Sequence, residues 1–251
     1  MSKIIVVKLG TNAMTKEDKT LDLDLLKHLV RQIAEINKDH KVLFVTSGAM
    51  GCGRTIIKQD LRYDEVTTRQ LYAVVGQVKL MQIYSEFFAE HSITVAQMLA
   101  TRQDFANRTH ALNTKNCIES LFREKILPIM NENDFVCVEE LMFSDNDELS
   151  GIISKMIFAD KLIILSNVDG VLDENKKVIE EFNYDAEIPK NIITPDKSAF
   201  GKGGMQSKFN VAANVARHGT QVVIANSKTP DVILRILKGE KTGTSFTPKT
   251  N

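Results

Sequence analysis

Six short apolar runs rich in valine and isoleucine, at residues 4–7, 42–45, 93–98, 126–130, 162–165 and 222–225, are separated by helical or loop-rich stretches. Runs of this kind predict parallel strands covered on both faces. Helical spacing recurs between them. Leu26, Val30 and Ile33 share one face of a first helix, and Leu71, Val74, Val75 and Val78 share one face of a second that runs to about His91. Helix alternating with strand predicts an α/β sandwich around a mainly parallel sheet with right-handed crossovers.

Two stretches break the rhythm. Residues 169–183 place turn residues at Asp169-Gly170 and Asp173-Glu174-Asn175 between β-rich pieces, which predicts a hairpin. Residues 185–205 carry Pro189 and Pro195, show no period, and end in the run Gly201-Lys202-Gly203-Gly204, as expected of a mobile surface loop. With no linker, internal repeat or low-complexity segment, a single domain over residues 1–251 is the simplest organisation, and the tail 239–251 is too short to form another.

Composition narrows the function classes. The 251 residues are enough for one core that buries about 75% of the unfolded-chain surface. Lys+Arg and Asp+Glu both total 32 and the pI is about 7.0, so no global field favours nucleic acid, a membrane surface or a polyanion. Cys52, Cys117 and Cys137 are odd in number and widely spaced, which argues against a disulfide framework or a zinc ribbon and for a reducing cytoplasm. No stretch is apolar enough for a signal peptide or a membrane span.

Chemistry concentrates at strand ends. The strand 126–130 opens into Asn131-Glu132-Asn133-Asp134, and Asp145-Asn146-Asp147 follows at the entry to another helix. Amides and carboxylates just past the carboxyl end of a buried strand sit where open α/β sheets bind ligands, and they suit a small zwitterion. Capping of the helix by Asp145 and Asp147 is the plainer alternative, but it leaves Asn131, Asn133 and Asn146 unexplained. The spacing lacks the glycine and distal glutamate of an EF-hand loop.

Lys8 ends the first strand ahead of Gly10 and Thr11, where a lysine reaches a phosphate or simply points to water. The second strand leaves through Thr46-Ser47-Gly48-Ala49-Met50-Gly51-Cys52-Gly53, either an anion cradle or a tight turn that needs positive φ. It is neither a Walker A loop nor a dinucleotide fingerprint. Residues 201–208 bring glycines, Lys202 and Lys208 to a helix start, a local positive pole suited to nucleotide phosphates.

Taken in order, Val6-Val7-Lys8-Leu9-Gly10-Thr11, Val45-Thr46-Ser47-Gly48-Ala49, Asn131–Asp134, Asp145–Asp147 and Gly203–Lys208 resemble the amino acid kinase superfamily. The Asn-Glu-Asn-Asp and Asp-Asn-Asp pair resembles, within it, the glutamate 5-kinases. The resemblance covers nearly the whole chain. It implies a three-layer αβα sandwich whose first half, to about residue 150, binds the amino acid and whose second half, from about 151, binds ATP. The implied reaction passes the γ-phosphoryl group of ATP to the side-chain carboxylate of L-glutamate, the first step of proline synthesis. Acetylglutamate or aspartate kinases of the same superfamily, or a non-catalytic sensor that kept the fold, are the alternatives.

Residue by residue, the resemblance puts Ser47, Gly48, Asn131, Asp134 and Asn146 on glutamate. It puts Lys8, Gly10, Ser166, Asn167, Lys202, Gly203, Gly204, Met205, Gln206, Ser207 and Lys208 on ATP. Lys8 and Lys208 would stabilise the transferring phosphoryl group, with Asp147 holding both ammoniums and Mg2+ carried by the ATP phosphates. One departure is Ser166-Asn167, where family members often carry Thr-Asp. Many relatives also continue into a PUA domain; the expectation here is a chain without one and no RNA role. The family further implies a homodimer or homotetramer, feedback inhibition by proline through the loop-rich region 107–116, and a glutamyl phosphate reductase as partner.

Overall fold

The computed structural model describes residues 2–18, 20–58, 62–136, 146–185, 187 and 204–249. Its described strands form one sheet: β1 (Ile4–Leu9), β2 (Lys41–Val45), β3 (Val95–Ala100), β4 (Leu127–Glu132), β5 (Lys161–Ser166), β6 (Glu181–Asn183), β7 (Gln221–Asn226) and β8 (Thr244–Thr247). The spatial order is β3-β4-β2-β1-β5-β7-β8-β6, parallel throughout except for β8 against β7. All six expected strands are present within two residues of their expected bounds.

The described α-helices are α1 (Leu23–Ile36), α2 (Ala49–Ile56), α3 (Glu65–Ala89), α4 (Arg102–Ala106), α5 (Arg108–Arg123), α6 (Asn146–Met156), α7 (Met205–Arg217) and α8 (Val232–Leu237). Strand alternation sorts them into two layers. Ile5, Val7 and Leu9 pack with α1, α3 and α8 on one face, while Val6 packs with α5, α6 and α7 on the other. The result is the expected three-layer αβα sandwich. Lys8, two residues on from Val6, shares the face of α6 and α7.

The described residues correct three expectations. On α3 the buried face is Ala73, Gly76, Leu80, Ile83, Tyr84 and Phe88, whereas Val74 is 46% and Val78 is 72% exposed. Close helix packing overrides the apolar stripe. A Cβ on Gly76 would lie 1.7 Å from the Ala49 carbonyl oxygen, and one on Gly53 would lie 1.9 Å from that of Tyr72, so α2 and α3 meet at backbone distance through these glycines.

The hairpin in 169–183 shrinks to a bridge between Leu172 and Val178. β6 instead runs parallel to β8, because Phe182 stacks on Phe246 and both rings meet Phe209 edge-on. The region 107–116 is not a loop: Asn107 caps α5 by accepting hydrogen bonds from the N–H groups of Thr109 and His110, and the helix follows. Most of the loop expected at 185–205, together with Cys137, lies outside the described residues.

Candidate active site

The strand order reverses at β1, with β2 on one side and β5 on the other, and the chain reaches β5 only after β4. A crevice beyond the carboxyl ends of the strands at such a point is where doubly wound sheets take ligands. Lys8 is the penultimate residue of β1, Thr46 and Ser47 follow β2, Asn131 and Glu132 end β4, and Ser166 ends β5. Four strand ends therefore deliver polar side chains to one edge.

At the centre lies Asp147, with no exposed surface, on the first turn of α6. One of its oxygens pairs with the Lys8 ammonium, and the other accepts from Lys208 Nζ of α7 at 2.9 Å. Lys8 is 3% exposed, so both members of the first pair are buried. Burial alone would resist ionisation of Asp147, but the two ammoniums outweigh it and hold the carboxyl well below the usual carboxylate range. The spacing of Gly10 leaves room for this: a Cβ there would come within 3.2 Å of Lys8 Nζ.

A chain of amides lines the site beside β2 and β4. Asn131, at the end of β4, continues the face of Leu127 and Ile129, which packs toward α3, and donates from Nδ2 to Gln77 Oε1 at 2.9 Å. Its own Oδ1 accepts from the Glu132 N–H and from Asn146 Nδ2, each at 2.9 Å. Asn146 Nδ2 also reaches the Thr46 carbonyl oxygen at 2.8 Å and Ser47 Oγ at 2.7 Å. A backbone carbonyl accepts only, which fixes the amide's orientation. The donors of Asn146 are thus committed inside the protein, and its buried Oδ1 has no hydrogen-bond partner among the described residues. Ser47 accepts from Asn146 and keeps its O–H to donate.

Gly48 turns the chain from β2 into α2 with φ of +94°, a conformation that favours glycine. The glycines of this stretch therefore divide. Gly48 shapes the turn beside Ser47, while Gly51 and Gly53 lie inside α2 and Gly53 serves helix packing. Asp134 is half-buried, and that burial pushes its carboxyl up to about 6 despite the favourable charge of Arg69 on α3.

Beyond β5, Ser166 is buried and Asn167 exposed, just past the Leu165 carbonyl that accepts from the Gly10 N–H. Gly204 precedes α7, and Met205, Gln206, Ser207 and Lys208 form its first turn. Met205 is buried in the core below the sheet edge, so its side chain serves packing. Asp145, Lys202 and Gly203 lie outside the described residues.

Gln77 was not anticipated from the sequence. Its signal was a polar residue on the buried face of α3, four residues after Ala73 and three before Leu80. Among the described residues, no three His, Cys, Asp or Glu side chains converge as a metal site, and no helix is long and apolar enough to cross a membrane.

Residues 3–226 match the amino acid kinase family. The chain belongs to that family. A glutamate 5-kinase of Chlorobaculum tepidum is 46% identical over 246 residues, which cover 96% of this chain and 68% of that protein. One from Bacteroides thetaiotaomicron is 43% identical, over 98% of this chain and 70% of its own length. One from Streptococcus equi subsp. zooepidemicus is 38% identical, over 97% of this chain and 94% of its own. Within the family the similarity is to these kinases, which makes the chain a phosphotransferase. The N-acetylglutamate synthase of Neisseria gonorrhoeae, solved with coenzyme A and L-arginine, superposes with a TM-score of 0.68 at 12% identity, over 99% of this chain and 62% of that one. At that identity the likeness is one of fold.

Proposed function

We propose that the chain phosphorylates the side-chain carboxylate of L-glutamate with ATP, yielding L-glutamyl 5-phosphate and ADP at the start of proline biosynthesis. The observation that carries this reading is the buried Lys8–Asp147–Lys208 bridge at the sheet edge, between an amide-lined side and a glycine-led helix start.

The reaction brings a carboxylate toward a polyanion. Two unit charges at about 4 Å repel by roughly 4 kcal/mol at an effective dielectric of 20, so positive charge must be fixed in place beforehand. Lys8 and Lys208 supply it, and Asp147 keeps the ammoniums from separating. The glutamate γ-carboxylate is already ionised and needs no general base. Its oxygen forms a bond to the γ-phosphorus, the bond from that phosphorus to the β,γ-bridging oxygen breaks, and the electron pair leaves with ADP. On the substrate side, Asp134 and Asn146 Oδ1, which no described residue engages, take the ammonium, while the Ser47 hydroxyl and the backbone at Gly48 take the α-carboxylate. Asn146 thus acts on the substrate as an acceptor, through its carbonyl oxygen.

Gly10, Ser166, Asn167 and the segment 202–208 face ATP in this reading. Both Asp147 oxygens are paired with lysines, so this carboxylate is not offered to Mg2+. The ion would travel on the nucleotide phosphates, and no step is routed through it. A hydroxamate assay with glutamate, acetylglutamate and aspartate tests the acceptor: product with glutamate alone is expected, and product only with another acceptor overturns the assignment.

Gln77 enters as an orienting group. Gln77→Leu leaves the Asn131 amide without its acceptor, and the glutamate KM is expected to rise about tenfold with kcat little changed. Steady-state kinetics that show an unchanged KM would remove Gln77 from the site.

Four finer features belong to the same reading. Self-association as a dimer or tetramer is supported by the exposed Val66, Val74 and Val78 of α3, and sedimentation measures it. Cytoplasmic residence fits the free thiols of Cys52 and Cys117. The lability of an acyl phosphate favours capture by a glutamyl phosphate reductase, which co-sedimentation would detect. Feedback by proline, expected from the family, is read by titrating proline into the kinase assay.

A further inference from the structure

We infer that Gly151 is a positioning residue for phosphoryl transfer: its missing side chain sets how closely α6 lies on α7, and hence where Asp147 holds Lys208. The inference rests on the proposed role of the Lys8–Asp147–Lys208 bridge. It goes beyond that role by naming what holds the bridge in register.

The two helices run side by side from the same edge of the sheet, and their contacts form three rungs. Asp147 meets Lys208 at 2.9 Å, Gly151 faces Val211 and Val215, and Lys155 Nζ donates to Asn214 Oδ1 at 2.8 Å. Four-residue steps on α6 thus match three- and four-residue steps on α7, as ridges packing into grooves require. The middle rung is the tightest. A Cβ on Gly151 would lie 2.9 Å from Val211 Cγ1 and 3.1 Å from Val215 Cγ2, closer than packed carbons tolerate.

The neighbouring positions of α6 are consistent with a helix built for close approach. Ser150 and Ser154 are buried, and each hydroxyl donates to a carbonyl of its own helix, to Asp147 at 2.7 Å and to Ser150 at 2.7 Å. Gly151 lies one turn below Asp147, and Val211 lies one turn below Lys208. Any side chain at 151 pushes the helices apart at the rung next to the ion pair. Lys8 is held separately on β1, so the displacement falls on Lys208 relative to Lys8 and on the gap between the two ammoniums. Asn146 anchors the start of α6 to Thr46, Ser47 and Asn131, so α7 takes up the shift, which costs transition-state stabilisation while the amide-lined side keeps its place. Displacements near 1 Å can cost up to about a hundredfold in rate.

The test is steady-state kinetics and thermal melting of the full chain as wild type, Gly151→Ala, Val211→Ala and the double variant. Gly151→Ala is expected to lower kcat about tenfold, with KM for glutamate and ATP within about twofold and melting little changed. Val211→Ala alone should stay near wild type, and the double variant should recover kcat to within about threefold, because the smaller side chain restores the space. Val211→Ile approaches the same contact from α7 and should lower kcat in the same selective way, which keeps the test open if Gly151→Ala fails to fold. Wild-type kcat in Gly151→Ala, a KM that rises in step, or a folded double variant without recovery would overturn the inference. A wild-type protein without glutamate-dependent ADP release would strike the proposed reaction itself, whereas an active wild type with an unaltered Gly151→Ala strikes only the role of Gly151.

Discussion

Lys208→Ala is expected to lower kcat by at least about a hundredfold while leaving the glutamate KM within about threefold of wild type. Lys208 is mostly buried, and its ammonium is fixed on Asp147 before any substrate arrives. It can therefore stabilise charge on the transferring phosphoryl group without reorganising, and that benefit exists only in the transition state. The fold should survive, since Lys8 still compensates Asp147. Lys8→Ala should act in the same direction.

Asp147→Asn is the harsher change. It leaves two ammoniums facing a neutral amide, and breaking a buried pair in this way costs about 3–5 kcal/mol. The pH sign follows from the depressed carboxyl. Its stabilising contribution is fully present above the ordinary value of 3.8 and is lost as pH falls below it, so the wild type should lose more melting temperature on acidification than Asp147→Asn. Kinetics on folded Lys208→Ala that show a raised KM with wild-type kcat would sink the assignment.

The glutamate KM is expected to rise steeply as pH falls through about 6, the value to which burial pushes Asp134. Below that pH the carboxyl is neutral and pairs poorly with an ammonium. In the free protein the sign for stability is the reverse of that for Asp147. Because the folded-state value lies above the ordinary 3.8, the group favours folding at low pH and withdraws that support as pH rises through about 6. At pH 8 the site holds a half-buried carboxylate at a cost of at most about 3 kcal/mol.

Asp134→Asn should therefore raise the melting temperature of the free protein at pH 8, by about 2–4 °C per kcal/mol recovered, while raising the glutamate KM by about a hundredfold or more. It should also flatten the pH dependence of KM. An unchanged glutamate saturation curve in the folded variant would take Asp134 out of the substrate site. Under the proposed function, the substrate ammonium compensates a carboxylate that burial otherwise holds at a loss.

How far the site was legible depended on whether its signal was local. Lys8 could be read at the end of an apolar run, and Asp147 at the start of a helix, because strand ends and helix starts leave marks over a few residues. Gln77 could not, since it reaches Asn131 from 54 positions away along the chain. The apolar stripe on α3 misled for a related reason. A helical period identifies a helix and an apolar face, yet Gly53 and Gly76 bring α2 against another side of α3 and leave Val78 in solvent. β6 and β8 were too short to stand out, and they exist because Phe182, Phe209 and Phe246 meet in three dimensions.

Apolar runs of strand length and their alternation with helices were sufficient to set the αβα layers, because burial on both faces of a sheet demands that pattern whatever the neighbours are. The residue types at the strand ends were enough to mark a candidate site, because they gather at one edge of the sheet. Which face Lys8 takes, which oxygen of Asp147 meets which lysine, and which end of the Asn146 amide is left unpartnered came from packing alone. Such outcomes depend on distances between segments remote in sequence, and Gly151 is the sharpest case: along the chain it is a glycine in a helix, whereas against Val211 it is the place where no side chain fits.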